Sequence, residues 1–261
     1  MKAIKDSRFF ETIVNYYVRS PSVTLCRIPE LELLSQIQLE RPVLDHCCGD
    51  GYIAATAFSK TIIDAGVDIN NEQLAAAQQR GNYKRLERAD AGVALPFSDE
   101  EFATVINNSG IEHIPDLEVA IAEIARVLKV GGKVYLNVLN SRYFDRWPLN
   151  PETAIIYKKF QPFYHALNEE DWRDILEQHN LKNVTFTDYL PESTSKMLAS
   201  LDYRYSAHYF RKRISPLLIL ERFLPTSWLI QRWRSMLENL PWEATPGTGS
   251  GFLICATKAE V

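Results

Sequence analysis

This 261-residue sequence predicts an α/β fold, a parallel sheet covered by helices on both faces. Three observations carry that expectation. After Pro42, short apolar runs alternate with helical stretches, the rhythm of βαβ units. The first run, VLDH, passes through the glycine turn CCGDG directly into a helical stretch. With 46% apolar and 24% charged residues, the chain has an ordinary globular composition and enough length to bury a full core.

Residues 6–18, DSRFFETIVNYYV, read as a helix. A break follows at Ser20-Pro21, then PELELLSQI, with its proline at a helix start. RPVLDH is the first strand and GYIAATAFSK the helix behind it. TIIDAGVDI is a buried strand, and NEQLAAAQQRG a helix closed by glycine. NYKRLERAD and FATVINNS supply strands three and four, LEVAIAEIARVL an amphipathic helix, and GGKVYLNVLN the fifth strand. Residues 141–167 are rich in aromatics and proline and read as an irregular excursion. The helix NEEDWRDILEQHN, the strand VTFTDYL, a mostly helical segment and the closing strand GFLICATK complete the chain. The expected division is a helical cap (1–40), a sheet domain (41–190 with 247–261) and a helical insertion or lid (191–246).

A formal net charge of −4 argues against a duplex nucleic-acid binder with a broad basic face. The N-terminal residues show no apolar signal region, and the apolar run PLLIL is cut off by Glu221 and Arg222, so a cytoplasmic protein without a bilayer span is expected. The four cysteines and five histidines have no metal-ligand spacing, which predicts no metal and reduced thiols. One region is locally basic: residues 200–236 hold Arg204, Arg211, Lys212, Arg213, Arg222, Arg232 and Arg234 against Asp202 and Glu221, with aromatics among them. Such a pattern can form a lid over an acceptor pocket, cover an amphiphilic substrate, or contact an anionic membrane surface.

GDGYIA fits the pattern G-x-G-x-x-A through Gly49, Gly51 and Ala54, and Asp68 follows nineteen residues after Gly49. Glycines allow close backbone approach, a helix N-terminus offers free N–H groups, and a carboxylate accepts both hydroxyls of a ribose. The turn therefore predicts a nucleoside ligand at the carboxyl ends of parallel strands. Asp45, four residues before Gly49, would sit poorly beside a pyrophosphate and well beside an ammonium group.

From there the sequence resembles the class I S-adenosylmethionine-dependent methyltransferases, at four ordered places between residues 40 and 140. VLDHCCGDG is similar to their cofactor turn, and AGVDIN, with Asp68 and Ile69, to the second-strand acid segment. ADAGVALPFSDEEFATVINNSGIEHIPD resembles the run from the adenine-side acid to the loop after strand four. IARVLKVGGKVYLNV matches the family's R-V-L-K-x-G-G segment. The resemblance implies a Rossmann-like sheet with an antiparallel last strand, S-adenosylmethionine as cofactor, and S-adenosylhomocysteine as product. It implies that Asp45 orients the cofactor's ammonium, that Gly49 and Gly51 offer N–H groups, that Asp68 rather than Asp64 holds the ribose, and that Asp90 and Ala91 face the adenine. Cys47 stands at the usual first glycine and reads as packing filler rather than a nucleophile. Asn107 and Asn108 end the fourth strand, where ligands gather. His113 is the candidate general base and His165 a second. Tyr16 and Tyr17 are candidates to close the site.

The implied activity is methyl transfer to a small-molecule or glycan acceptor, lipid-linked acceptors included, with oxygen favoured over nitrogen or carbon. Two alternatives stand beside it: a nicotinamide-dependent reductase, which R-V-L-K-x-G-G and the lack of a Y-x-x-x-K pair disfavour, and a non-catalytic cofactor-binding relative. Neither the acceptor nor the oligomeric state is legible.

Overall fold

A computed structural model describes residues 2–59, 61–211, 221 and 223–260. Seven strands form one sheet in the order β3-β2-β1-β4-β5-β7-β6. They are β1 (Val43–His46), β2 (Ile63–Asp68), β3 (Tyr83–Arg88), β4 (Phe102–Asn108), β5 (Leu128–Leu139), β6 (Leu181–Tyr189) and β7 (Gly251–Lys258). Strands β1 to β5 pair in parallel, and the sheet ends in antiparallel C-terminal strands. The order reverses beside β1, which places the carboxyl ends of β1 and β4 at the switch point where ligands bind in open sheets.

The chain divides into two compact units. The sheet unit comprises Leu33–Asn140, Tyr164–Thr187 and Phe252–Val261; the helical unit comprises Met1–Glu32, Ser141–Phe163 and Asp188–Gly251. The N-terminal segment, the aromatic excursion and the long insertion thus contribute to one helical unit.

In the sheet unit the period of two is visible in the core. Leu44, Val67, Val105, Leu136 and Phe252 pack in one cluster with Ile121, Ile124 and Trp172, from helices α5 (Leu117–Val127) and α8 (Glu169–Gln178). Val43 and Ile106 turn to the opposite face and pack with Ala54 and Phe58 of the α3 region (Tyr52–Ala57) and with Ile63 at the start of β2. Helix α5 begins where Asp116 accepts from the Val119 N–H at 3.2 Å, and it buries Leu117, Ala120, Ile121, Ile124 and Val127, one face at helical spacing. Helix α4 (Asn71–Arg80) starts where Asn70 accepts from the Glu72 N–H at 2.8 Å and stops at Gly81, whose φ is +73°.

Arg126, the arginine of R-V-L-K, explains part of the tightness of that segment. Its guanidinium bonds both carboxylate oxygens of Glu123 at 2.7 Å, Asp99 at 2.8 Å, and the carbonyls of Phe97 (2.8 Å) and Leu95 (3.0 Å). One rigid fork thereby fixes the loop between β3 and β4. The next two glycines lie inside β5, beside its register break: a Cβ on Gly132 would meet the carbonyls of Lys129 and Ala103 at 2.8 and 2.9 Å.

Three sequence expectations are corrected. The second N-terminal helix, α2, spans Pro21–Leu34, so Pro21 starts it and Pro29 sits inside it rather than at its start. Strand β5 begins at Leu128, three residues before the glycine pair, because the chain pairs with Phe102 before a register break at Thr104. The excursion is not irregular: it holds helices α6 (Ser141–Asp145) and α7 (Pro151–Phe160). In α7, Asn150 accepts from the Glu152 N–H at 2.9 Å and Pro151 occupies the first turn. Aromatic rings, which disguise helical periodicity in sequence, here pack edge to face, Tyr143 on Phe144 at 5.2 Å between centroids.

In the helical unit, α9 (Glu192–Arg211) and α10 (Thr226–Leu237) account for the described part of the basic region. Lys212, Arg213 and Arg222 lie outside the described residues. Helix α10 turns Leu229, Trp233 and Leu237 inward, and the Trp233 indole donates to the Val18 carbonyl at 2.8 Å. Trp228 is exposed, with the Arg232 guanidinium 5.5 Å from its ring centre. Among the described residues no helix is long and apolar enough to cross a membrane. Tyr16 and Tyr17 lie in this unit as an edge-to-face pair, 4.9 Å between centroids.

Candidate active site

Strand β1 ends at His46, and the chain then turns through three residues of positive φ: Cys47 (+60°), Gly49 (+54°) and Gly51 (+72°). The Cys48 N–H donates to the Val67 carbonyl at 2.9 Å, which ties the turn to β2. The Gly51 N–H donates to the Cys48 carbonyl at 3.0 Å. Arg80 clamps the far side, donating to the Asp50 carbonyl and to its carboxylate, both at 2.7 Å. Gly49 has nothing nearer than 4.0 Å to a Cβ built on it, so the turn offers bare backbone to open space. Such a turn leaves room for a ligand to approach the backbone closely.

Asp68 is the last residue of β2 and stands over this turn. One carboxylate oxygen accepts from the Gly49 N–H at 2.9 Å, and the other from the Asn70 N–H at 2.9 Å. Each oxygen keeps a second lone pair for a ligand hydroxyl. Asp64 lies near the opposite end of the strand, held by Arg41 (3.1 Å) and Lys84 (2.8 Å); burial raises its pKa, but the hydrogen bonds from Arg41, Lys84 and the Val43 N–H together bring it down to about 2. Ile69 follows Asp68 with its apolar side chain 56% exposed at the sheet edge. Asp90 is exposed, and its carboxylate accepts from the Gly92 N–H at 2.9 Å, while Ala91 is buried in the core.

Asp45 is buried on β1, on the face of the sheet opposite Leu44. It accepts from the Tyr83 hydroxyl at 2.5 Å. Burial, and then the neighbouring Asp68 charge, raise its pKa to about 7, the Tyr83 bond opposing. Such a carboxylate gains from a cation brought beside it. Tyr83 reaches it because two glycines leave room: a Cβ on Gly51 would come within 2.7 Å of the ring, and one on Gly66 within 2.9 Å. Sequence reasoning passed over Tyr83 and Arg80. The one available signal was Gly66 in the middle of a buried strand, the mark of a close approach.

Cys47 and Cys48 are free cysteines, both partly buried in this turn. Burial raises both thiol pKa values far above the usual range, and the carboxylates of Asp45 and Asp68 push the same way. A protonated thiol is a poor nucleophile. Both are therefore expected to label with iodoacetamide at pH 8 many times more slowly in the folded protein than in urea, read by mass spectrometry of tryptic peptides. Rapid labelling of Cys47 in the native state would reinstate it as a reactive group.

At the end of β4, Asn107 is completely buried and fully bonded. Its oxygen accepts from the N–H groups of Gly110 (3.2 Å) and Ile111 (3.1 Å), and its amide nitrogen donates to the His46 carbonyl (3.0 Å) and to His46 Nδ1 (2.8 Å). No polar atom of Asn107 is left for a ligand, so the structure does not bring it to the cofactor edge. Asn108 points to the other face and accepts from Asn137 at 2.8 Å. His113 ends the 3-10 turn Ile111–His113 that Asn107 holds, and it is half-buried. The carbonyl of Glu112 accepts from the Tyr164 N–H at 3.0 Å, and His165 donates from Nε2 to the Pro115 carbonyl at 3.1 Å, so both histidines lie around one turn.

Residues 44–136 match the family model described as a methyltransferase domain. The chain is 29% identical over 173 residues to a ubiquinone/menaquinone biosynthesis C-methyltransferase of Allorhizobium ampelinum, covering 56% of this chain and 67% of that protein. It is 28% identical over 167 residues to an O-methyltransferase of Aspergillus nomiae, covering 60% and 71%. A SAM-dependent methyltransferase structure from Thermotoga maritima superposes with a TM-score of 0.62 at 18% identity, over 97% of this chain and 98% of that one, which shows a shared fold. With its glycine cradle and its acid at the end of β2 inside the matched residues, the chain carries a methyltransferase domain over residues 44–136, and these similarities support a class I S-adenosylmethionine-dependent methyltransferase with S-adenosyl-L-methionine as cofactor.

Proposed function

We propose that the acceptor is a small molecule carrying an ionisable hydroxyl, methylated at that oxygen, with His113 as the base that removes the proton. The observation that carries this is the placement of His113 on a turn anchored at the carboxyl end of β4, next in the sheet to the cofactor strand β1. The bound cofactor supplies an activated methyl group, so what remains for the protein is alignment and deprotonation. Holding reactants in line is worth effective molarities up to about 10⁸ M in favourable cases. Within the cradle, Gly49 and Gly51 let the ligand approach the backbone closely rather than offering N–H groups, since those donate to Asp68 and to the Cys48 carbonyl. Asp45 faces the ammonium, Asp68 accepts from the ribose hydroxyls, and Ile69 lies against the adenine with Asp90 and Ala91 at its edge.

A second reading keeps the same base and moves the methyl to carbon. It is favoured by the relative named as a quinone-pathway C-methyltransferase. Loss of a proton from a hydroxyl also activates the neighbouring ring carbon, so one histidine serves both outcomes. Glycan and lipid-linked hydroxyls fall within the same chemistry, and the exposed Trp228 with Arg232 is where an anionic lipid surface would be met.

The test is methyl transfer from labelled cofactor to a panel of phenols, hydroquinones and sugars, with product mass spectrometry locating the methyl. His113→Gln is expected to lower the rate by about 10²–10⁴ at neutral pH and to remove the ascending limb of the pH–rate profile. Unchanged turnover in that variant would remove His113 from the chemistry. Binding of reduced nicotinamide cofactor in preference to S-adenosylhomocysteine would overturn the whole reading.

A further inference from the structure

We propose that His46 is a positioning residue which, acting through Asn107, locks the turn bearing His113 against the turn that receives the cofactor. This rests on the functional reading above. The hydrogen bonds fix their own directions. The two partners of the Asn107 oxygen are backbone N–H groups, Gly110 at 3.2 Å and Ile111 at 3.1 Å, and these only donate. The amide nitrogen must then be the atom 2.8 Å from His46 Nδ1, and an amide nitrogen only donates. Nδ1 is therefore the acceptor, and the ring is neutral with its proton on Nε2. A charged ring would set one donor against another.

The surroundings agree. His46 is completely buried, and burial lowers its pKa to about 4. Among the described residues its Nε2 has no hydrogen-bond partner. The Cys47 thiol, kept protonated by its own burial, lies 3.5 Å from Nδ1 and adds a second, weak donor to the same acceptor.

The physical link between the two turns is a pair of residues. Gly110 opens the His113 turn, and a Cβ on it would lie 2.6 Å from the Cys47 Cβ and 3.2 Å from the Asn107 amide nitrogen. Cys47 is the first residue of the cofactor turn and holds a φ of +60°. Ser109, before Gly110, holds a φ of +53°. Two adjacent left-handed turns thus press against each other, and the bond from Asn107 to His46 closes them. The same turn receives the Tyr164 N–H on the Glu112 carbonyl, so the segment carrying His165 follows it. Displacement of the cofactor turn by its ligand is therefore felt at His113 through packed atoms with no slack between them.

Asparagine can place its oxygen where histidine places Nδ1; leucine cannot. The experiment is nitrogen NMR of histidine side chains, together with amide hydrogen exchange, on wild type, His46→Leu and His46→Asn, each with and without S-adenosylhomocysteine. In wild type the His46 ring is expected as the Nε2–H tautomer down to about pH 4, with the Gly110 and Ile111 amides protected, and saturating S-adenosylhomocysteine is expected to shift the His113 titration. His46→Leu should lose at least about ten-fold of the protection at those two amides and uncouple His113 from the ligand, while still binding it. His46→Asn should restore both. An Nδ1–H or charged His46, or a His46→Leu protein that keeps the protection and the coupling, would overturn the proposal. Should His46→Leu fail to fold, the wild-type tautomer and the His46→Asn coupling decide it. Absence of S-adenosylhomocysteine binding in wild type would instead count against the functional reading, since tautomer and protection are measured without ligand.

Discussion

Asp68→Ala is expected to weaken S-adenosylhomocysteine binding by roughly 100-fold or more, measured by titration calorimetry. A hydrogen bond to a charged group contributes about 1.5–3 kcal/mol, and a ribose diol makes two to one carboxylate. At about 1.4 kcal/mol per factor of ten, two such bonds amount to at least a hundred-fold. The same substitution also removes the acceptor of the Gly49 N–H, now 2.9 Å away, and so loosens the turn itself. Asp68→Asn keeps one acceptor oxygen and should fall between the two, near ten-fold. Asp64→Ala is the internal control. Its partners are Arg41 and Lys84, away from the carboxyl edge, and it should cost stability while leaving affinity within about two-fold. Equal affinity in wild type and Asp68→Ala would refute the placement of the ribose.

Asp45→Asn is expected to make the protein more stable at pH 8 and a poorer binder of the methyl donor. The folded-state pKa of Asp45 is raised from 3.8 to about 7, so the folded chain holds a proton that the unfolded chain releases. The stabilisation from that proton is complete below about pH 3.8 and is lost as pH rises through 7. Keeping Asp45 ionised at pH 8 therefore costs the fold up to about 4 kcal/mol, which a neutral amide avoids. His46 works in the opposite sense. Its pKa falls from 6.5 to about 4, so its contribution is complete above 6.5 and is lost as pH falls through 4. Between pH 4 and 6.5 the two offset each other in wild type. Asp45→Asn should uncover the acid-side loss as a steeper decline in melting temperature. Affinity for S-adenosylmethionine should rise between pH 6 and 8 in wild type, as Asp45 ionises beside the ammonium, and should stay flat in the variant. An unchanged stability profile would mean that Asp45 is ionised in the free protein at neutral pH.

The two carboxylates show why a sequence pattern can mark a site without describing it. V-L-D-x-C and A-G-V-D announce acids at the ends of β1 and β2, because alternating apolar residues define the strands and glycines define the turn. The pattern does not carry the Tyr83 hydroxyl that faces Asp45 from a strand 38 positions later. Nor does it separate Asn107 from Asn108. Adjacent residues on a strand point to opposite faces, and only the pairing His46↔Asn107 shows which asparagine turns inward. The helices of residues 141–160 were hidden for a related reason: their aromatic and proline content matches loop statistics, and packing against one another decides their structure.

The sequence by itself determined the sheet, the order of its elements and the class of ligand, because period, turn glycines and caps act over a few neighbouring residues. The tertiary structure decided the raised pKa of Asp45 and of the Cys47 and Cys48 thiols, the inward turn of Asn107 and the tautomer of His46. Each of those depends on burial and on partners brought from distant strands, and the free energy of a charge or a proton is set by what surrounds it in space.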